Sequence, residues 1–454
     1  MIIVAETVAS LKGFLAETGL NQLARTMLLR LVLAFIMHRG RMSCSAAAGS
    51  IASEPIHRGE LTRFMARPRW QQFDFNNPLV KLLVAKETKR GKWLFLIDAT
   101  MVSQAVKKTQ NTYSTGNPGR NPAKNRRYNK KKVVYKKVHS FTFGLLISPS
   151  GIRIPMEIPH YTTEYCQTHD LEHQTTAEAA AAMIRTLPLP ASAEVIVIGD
   201  TAYDAEVVRN ACDEKGYIWI FPANPERVYE GPKGQRSKLR SRLQDWTSLS
   251  LETIRLQAST GKYANYRRLS KWRVGPKTKP RVYYAFQEIQ DVRSVGRVQL
   301  VFSTMKPDLK TATPDDVKIL ITNAVNMSEA EVIELYSLRW QIELFFKELK
   351  STLGFAQYSF QDFLAVKAWV ESAITTVLFL EQERIKHMQD RRLSQETRRW
   401  WESQRLHGLC HAYRQQCDAR ELKYLSERLK TSGGIAKLKR LLAYALPKEY
   451  RVAA

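Results

Sequence analysis

Cysteine is scarce in this sequence. Five residues (Cys44, Cys166, Cys212, Cys410 and Cys417) are spread over 454 positions. They are too few, and odd in number, to staple a fold, so no disulfide scaffold and a reducing compartment are expected. Acid is scarce too. There are 43 Asp+Glu against 70 Lys+Arg, a net charge of +27, and no acid at all between Asp98 and Glu157. Such a field favours polyanions, nucleic acid first, with a merely soluble basic protein or a binder of anionic membranes as alternatives. Long uncharged apolar runs are missing. "MLLRLVLAFIM" (27–37) is short and carries Arg30, and "FLAVKAWVESAITTVLFL" (363–380) carries Lys367 and Glu371. Both read as buried helices, with no membrane partner. The start lacks a basic segment followed by an apolar one, so no signal peptide is expected and the chain is placed in the cytoplasm. "GNPGRNPAK" is not followed by Gly-Lys-Ser/Thr, which leaves a nucleotide-binding P-loop without support.

What is present is the composition of a globular protein, 44% apolar and 25% charged, with length for two to four domains. No internal repeat is visible. Residues 1–90 read as a helical N-terminal region. Within it, the stretch from Ser43 to Trp70 suits either a helix-turn-helix DNA reader, with His57, Arg58, Arg63, Arg67 and Arg69 on or near its second helix, or simple helical packing. From 91 the texture turns to strands. "KWLFLID", "HSFTFGLLISP", "GIRIPMEI" and "AEVIVIGD" alternate with the helical "TTAEAAAAMIRTL" and "AEVVRNACDEKG", a mixed α/β pattern. Residues 222–316 interrupt it with basic, aromatic strands, a β-rich insertion. "KILITNA" then restores the buried-strand type, and residues 381–454 form a helical C-terminal region.

Asp98 and Asp200 each close an apolar strand. Strand ends on one edge of such a sheet lie side by side, and two carboxylates there repel unless a cation sits between them. Mg²⁺ or Mn²⁺ meets that need, whereas two unrelated caps are the plainer alternative. Asp204 reads as a helix N-terminal residue. "SEAE" (328–331) is a capping box, and one uninterrupted helix is expected from there to Gly354. On it Tyr336, Arg339, Glu343 and Lys350 fall within roughly 60° of one another, beside an apolar stripe of Leu335, Leu338, Ile342, Phe345 and Leu349. Glu343 would join the two strand-end acids, or pair with Arg339 or Lys347. Three carboxylates with bases beside them are what metal-assisted phosphodiester chemistry requires.

The spacing Tyr336-x₂-Arg339-x₃-Glu343-x₆-Lys350 resembles the Y-R-E-K signature of cut-and-paste DDE transposases from bacterial insertion sequences, of the type of the insertion-sequence family numbered four. "LIDAT" looks like the segment of the first Asp, "VIGDTAYD" like that of the second, and "LITN" with "LYSLRWQIELFFKELKSTLG" like that of the Glu. The likeness covers roughly residues 90–380. It implies an RNase H-like mixed-sheet catalytic domain over 91–221 and 317–380, with Asp98, Asp200 and Glu343 holding two Mg²⁺ ions or Mn²⁺ in their place. It further implies nicking at the transposon ends, a hairpin intermediate, joining of the 3′-OH to target DNA, and a homodimer holding both ends of double-stranded DNA near the nucleoid. Tyr336, Arg339 and Lys350 would grip phosphates. Trp272, in the insertion, is the candidate for stacking on a flipped base, with a core tryptophan as the alternative. "AT" after Asp98 departs from relatives that carry two hydroxyl residues there.

The segment from Lys107 to Lys137 interleaves Tyr113, Tyr128 and Tyr135 with bases that include Lys130, Lys131 and Lys132, a pattern suited to tracking a nucleic-acid backbone or to a solvated loop. The Cys/His stretch at 407–417 is expected to pack rather than ligate zinc. A polar loop is expected at "THDLEHQ" (168–174). Two other functions compete: a catalytically idle DNA-binding relative that regulates transposition, and a general nuclease of the same fold.

Overall fold

The computed structural model describes residues 5–38, 40–49, 56–67, 74, 76–104, 108–116, 135–230, 236–244, 252–256, 281–306, 313–430, 433–434 and 436. The chain divides into two compact units, residues 1–79 with 348–454, and residues 80–347.

The first unit is helical. It begins with α1 (Ala5–Ala16), α2 (Gln22–Met37), α3 (Cys44–Ala48) and α4 (Arg58–Met65). Asn21 caps α2 by accepting from the Ala24 N–H at 2.9 Å, and His57 with Glu60 closes a capping box on α4. Leu61, Phe64 and Met65 of α4 are buried, while Arg58, Arg63 and Arg67 are exposed. The chain passes through α5 (Asn77–Ala85) into the second unit.

That second unit is one twelve-stranded mixed sheet. Its strands are β1 (Trp93–Gln104), β2 (Tyr113–Gly116), β3 (Tyr135–Ile147), β4 (Arg153–Pro159), β5 (Val195–Ile198) and β6 (Ile218–Pro222). They continue as β7 (Val228–Glu230), β8 (Arg236–Lys238), β9 (Glu252–Leu256), β10 (Arg281–Val292), β11 (Gly296–Thr304) and β12 (Lys318–Thr322). The order across the sheet is β2-β3-β1-β5-β6-β12-β11-β10-β7-β8, with β4 on β3 and β9 on β10. Among the described residues only β1–β5 and β5–β6 pair in parallel. The helical connections are α6 (Thr163–His169), α7 (Thr176–Thr186), α8 (Glu206–Glu214) and α9 (Leu239–Gln244). Gly144 on β3 admits no side chain, since a Cβ there would stand 2.3 Å from the Phe95 ring. The strands at 281–304 lengthen the same sheet through β12 rather than folding apart from it.

The expected single helix after Ser328 is two helices, α10 (Glu329–Ser337) and α11 (Trp340–Thr352). The capping box of Ser328 and Glu331 is present. At the break, the Ser337 hydroxyl donates to the Glu334 carbonyl at 2.6 Å, and the Leu338 N–H turns instead to the Leu335 carbonyl at 3.0 Å. Arg339, Gln341 and Ile342 likewise bond three residues back. A side chain competing for a backbone acceptor explains the tightened turn, which no Gly or Pro announces. The apolar stripe survives it: Leu335, Leu338, Ile342, Phe345 and Leu349 are all buried.

The chain returns to the first unit with α12 (Phe363–Gln389), α13 (Gln395–Ser403) and α14 (Leu406–Leu429). By length and composition α12 could cross a membrane, but 89% of its apolar window is buried as the core helix of this unit, against α2, α4, α13 and α14. Its charges are partnered inside the unit, Arg384 with Glu381 at 2.5 Å and Glu383 with Ser10 and Tyr413.

Candidate active site

The register of the sheet brings two acids to one level. Leu96 of β1 pairs with Ile198 of β5 in parallel, and pairing ends there. Asp98 and Asp200 each lie two residues further on, so both stand at the carboxyl end of the parallel pair. Asp98 does not end its strand, as the sequence suggested. It lies in mid-strand, because β1 runs on to Gln104 along antiparallel β3. Asp200 does follow a strand end, and its carboxylate accepts from the Ala202 N–H at 2.9 Å to cap a short 3₁₀ turn, Thr201–Tyr203.

Glu343 arrives from α11. Phe143, opposite Asp98 in β3, meets the rings of Phe346 and Phe345 at 5.4 and 6.5 Å. These contacts hold α11 against β3, the strand paired with the one that bears Asp98. Arg339, in the tight turn ahead of the helix, then spans the gap. One guanidinium nitrogen donates to Asp98 Oδ2 at 3.2 Å and the other to Glu343 Oε1. The three side chains are 18%, 20% and 30% exposed for Asp98, Arg339 and Glu343. The other oxygen of Asp98 accepts from the Ala99 N–H at 2.8 Å.

The electrostatics carry the signature of crowded acid. Burial above all pushes the Asp98 carboxyl up to about 6; the charges of Asp200 and Glu343 add to it, against the pull of Arg339. Burial works against the Arg339 charge, yet Tyr336, Glu343 and Asp98 hold its pKa above the ordinary arginine value. Burial also raises the Tyr336 phenol. The Tyr336 hydroxyl accepts from Lys318 Nζ at 3.1 Å, and that ammonium stands 4.3 Å from the ring centroid. Lys350, seven residues beyond Glu343 on α11, has its pKa lowered by burial.

Carboxylates from three elements suit a hard divalent cation. Among the described residues no three His, Cys, Asp or Glu side chains are gathered tightly enough to hold a metal ion. The Arg339 guanidinium stands between two of the acids and supplies the countercharge. The donor set fits a divalent cation in chemistry and charge, with Arg339 where positive charge is needed.

A family model described as a transposase DDE domain matches residues 89–379, more than half of the chain. The chain belongs to the DDE transposase family. No curated protein matches it. In this transposase the matched span begins just ahead of β1 and contains Asp98, Asp200, Tyr336, Arg339, Glu343 and Lys350; it leaves α1–α5, α13 and α14 outside.

Of the residues singled out from sequence, Asp98, Arg339 and Glu343 are joined directly, Asp200 reaches Asp98 through its charge, and Tyr336 lies against Arg339. Lys130, Lys131, Lys132 and Trp272 fall outside the described residues. Sequence reasoning missed Lys318, whose position opening β12 gave no signal. Asp204 does lie at a helix start, closing the 3₁₀ turn one residue ahead of Ala205, the N-cap of α8, but sequence reasoning missed its partners: the buried carboxylate takes Arg209 at 2.5 Å and Arg227 at 2.7 Å. Of the Cys/His stretch expected to pack, Cys410 and Cys417 are buried in α14, whereas His407 and His411 are exposed. In the 168–174 stretch, His169 bonds the Tyr165 carbonyl and stacks on its ring.

Proposed function

We propose that the chain cuts DNA at the inverted repeats ending its element and joins the freed 3′-OH ends to target DNA. It would do so as an insertion-sequence transposase of the family numbered four, with Tyr336, Arg339, Glu343 and Lys350 as its Y-R-E-K set. The observation that carries this reading is the crowding of three acids, two of them on one guanidinium: Asp98 and Glu343 share Arg339, and Asp200 and Glu343 help drive the Asp98 carboxyl up. Members of the family use divalent metal ions. Asp98, Asp200 and Glu343 would hold two Mg²⁺, or Mn²⁺ in their place. A bound divalent pair supplies Lewis acidity to the attacking and leaving oxygens of a phosphodiester.

The rest falls to the chain's own residues. Backbone N–H groups of Ala99 and Ala202 fix one oxygen each of Asp98 and Asp200 and so orient the carboxylates. Arg339 exchanges carboxylate partners for a phosphate, which its planar fork binds in two places. Tyr336 and Lys318 hold neighbouring phosphate oxygens, and Lys350 serves further along the helix. Exposed Arg58, Arg63 and Arg67 on and after α4 meet the duplex. Lys130, Lys131 and Lys132 follow the backbone, and Trp272 takes a flipped base while a hairpin forms at the end. Two copies hold the two ends as a homodimer.

The test is cleavage of DNA carrying the flanking inverted repeats, with Mg²⁺, by wild type and by Glu343→Ala. Cutting at the ends by wild type alone supports the proposal. Identical products from both proteins would sink it, and equal cutting of unrelated duplexes would favour a general nuclease.

A further inference from the structure

Both oxygens of Asp98 are engaged. Oδ1 accepts from the Ala99 N–H at 2.8 Å, and Oδ2 takes one guanidinium nitrogen of Arg339 at 3.2 Å. The other guanidinium nitrogen closes on Glu343 Oε1. One side chain therefore covers an oxygen on each of two acids that come from different elements, β1 and α11. A divalent cation drawn to these acids meets both the occupied oxygens and a like charge beside them. Pulling Arg339 away with no new acceptor would strand a partly buried charge, a costly step.

The surroundings of Arg339 offer that acceptor a place. Arg339 stands in the tight turn ahead of α11, and its N–H bonds the Tyr336 carbonyl at 3.0 Å. Lys318 Nζ in turn donates to the Tyr336 hydroxyl at 3.1 Å and stands 4.3 Å from the ring centroid. Two bases and a phenol at one spot suit a phosphate. A phosphate gives the guanidinium two acceptors in the plane of its fork, so Arg339 can leave both acids at once without losing hydrogen bonds.

We propose that Arg339 is a latch on the acidic cluster: it covers Asp98 and Glu343 until a backbone phosphate of DNA draws it off, so that DNA and the divalent cation bind with positive coupling. The proposal rests on the metal-holding role given above to Asp98, Asp200 and Glu343. Linkage makes the effect reciprocal, DNA raising cation affinity by the factor by which the cation raises DNA affinity. The cluster thus fills on DNA more readily than in the free protein.

The experiment is Mn²⁺ titration calorimetry of the full chain, alone and saturated with a duplex that already ends at the flanking inverted repeat and so leaves nothing to cut. The chains are wild type, Arg339→Gln and Arg339→Lys, with Asp98→Ala as the baseline for Mn²⁺ held by the DNA itself. Alone, Arg339→Gln should bind Mn²⁺ about 10-fold more tightly than wild type. Arg339→Lys keeps the charge but cannot bridge two acids, so it should fall between them, and it carries the test should Arg339→Gln not fold. With duplex bound, the gap to wild type should close. Free variants within about twofold of wild type overturn the proposal. So does a gap that the duplex leaves in place, since Arg339 would then be only a fixed repulsive charge. Wild type that binds no more Mn²⁺ than Asp98→Ala, with and without duplex, overturns the metal reading itself and the proposal with it. Wild-type binding above that baseline with unaltered variants overturns the latch alone.

Discussion

Asp200 and Asp204 leave the same strand end four residues apart and enter opposite electrical settings. Asp204 is one acid between two bases. Its side chain is 2% exposed, Arg209 meets one oxygen at 2.5 Å, and Arg227 meets the other through Nε at 2.8 Å and Nη2 at 2.7 Å. The same Arg227 also donates to the Asp204 carbonyl at 2.8 Å, which ties the turn after β5 to the segment leading into β7. Around Asp200 the ratio is reversed, with three acids to one arginine, and the cluster is partly open to water. A closed cluster with its charge covered holds architecture together. An open one with acid in surplus stores repulsion that an incoming cation relieves.

The contrast breaks most visibly in activity. Glu343→Ala should lower Mg²⁺-dependent end cleavage by on the order of 10³-fold or more, since the lost stabilisation is several kcal/mol. Its urea midpoint should change little, because removing one of three crowded acids removes repulsion. Asp204→Ala should behave in the opposite way. It strands two arginines, one of them buried, so urea unfolding should show a loss of about 3–5 kcal/mol. A midpoint unchanged from wild type would make the Asp204 cluster no more structural than the acids it is set against.

A smaller effect sharpens the acid side. The folded-state value of Asp98 near 6 lies above its ordinary 3.8, so the native state holds that proton more tightly than the unfolded chain. Its contribution to stability is full below about pH 4 and is lost as pH rises through about 6. In EDTA, wild type should lose about 1–3 kcal/mol across that window relative to Asp98→Asn, measured by chemical denaturation at stepped pH. The smallest effect belongs to the arginine. In EDTA, Arg339→Gln should be less stable than wild type by about 1–2 kcal/mol, and Mg²⁺ should narrow the gap by supplying the missing positive charge. A gap that Mg²⁺ leaves untouched would mean that Arg339 does not stand in for a cation.

The contrast also marks where sequence stops being informative. Buried strands announce themselves as apolar runs, which is why β1, β5 and β12 were legible, as were Asp98 and Asp200 closing the first two runs. The capping boxes at Ser328 and Thr175 are local and equally readable. Arg227 is not: it lies 23 residues beyond Asp204, and only the fold brings it back. Without Arg227 in view, an Asp ahead of a helix reads as a cap. The break at Leu338 was hidden for another reason, since a serine hydroxyl taking a backbone acceptor leaves the apolar periodicity intact.

The Ser337–Glu334 hydrogen bond has a consequence for the aim of Glu343. Bonds that reach back three residues wind the chain by about 120° per residue instead of 100°, so each residue so wound advances the following helix by about 20° around its axis. Ser337 thus works as an angular trim, setting the bearing of α11 while Phe345 and Phe346 clamp its height above β3. A residue added between Ser337 and Trp340 would turn that bearing by about 100° and carry the carboxylate off the sheet edge, with every amino acid of the acidic cluster still present.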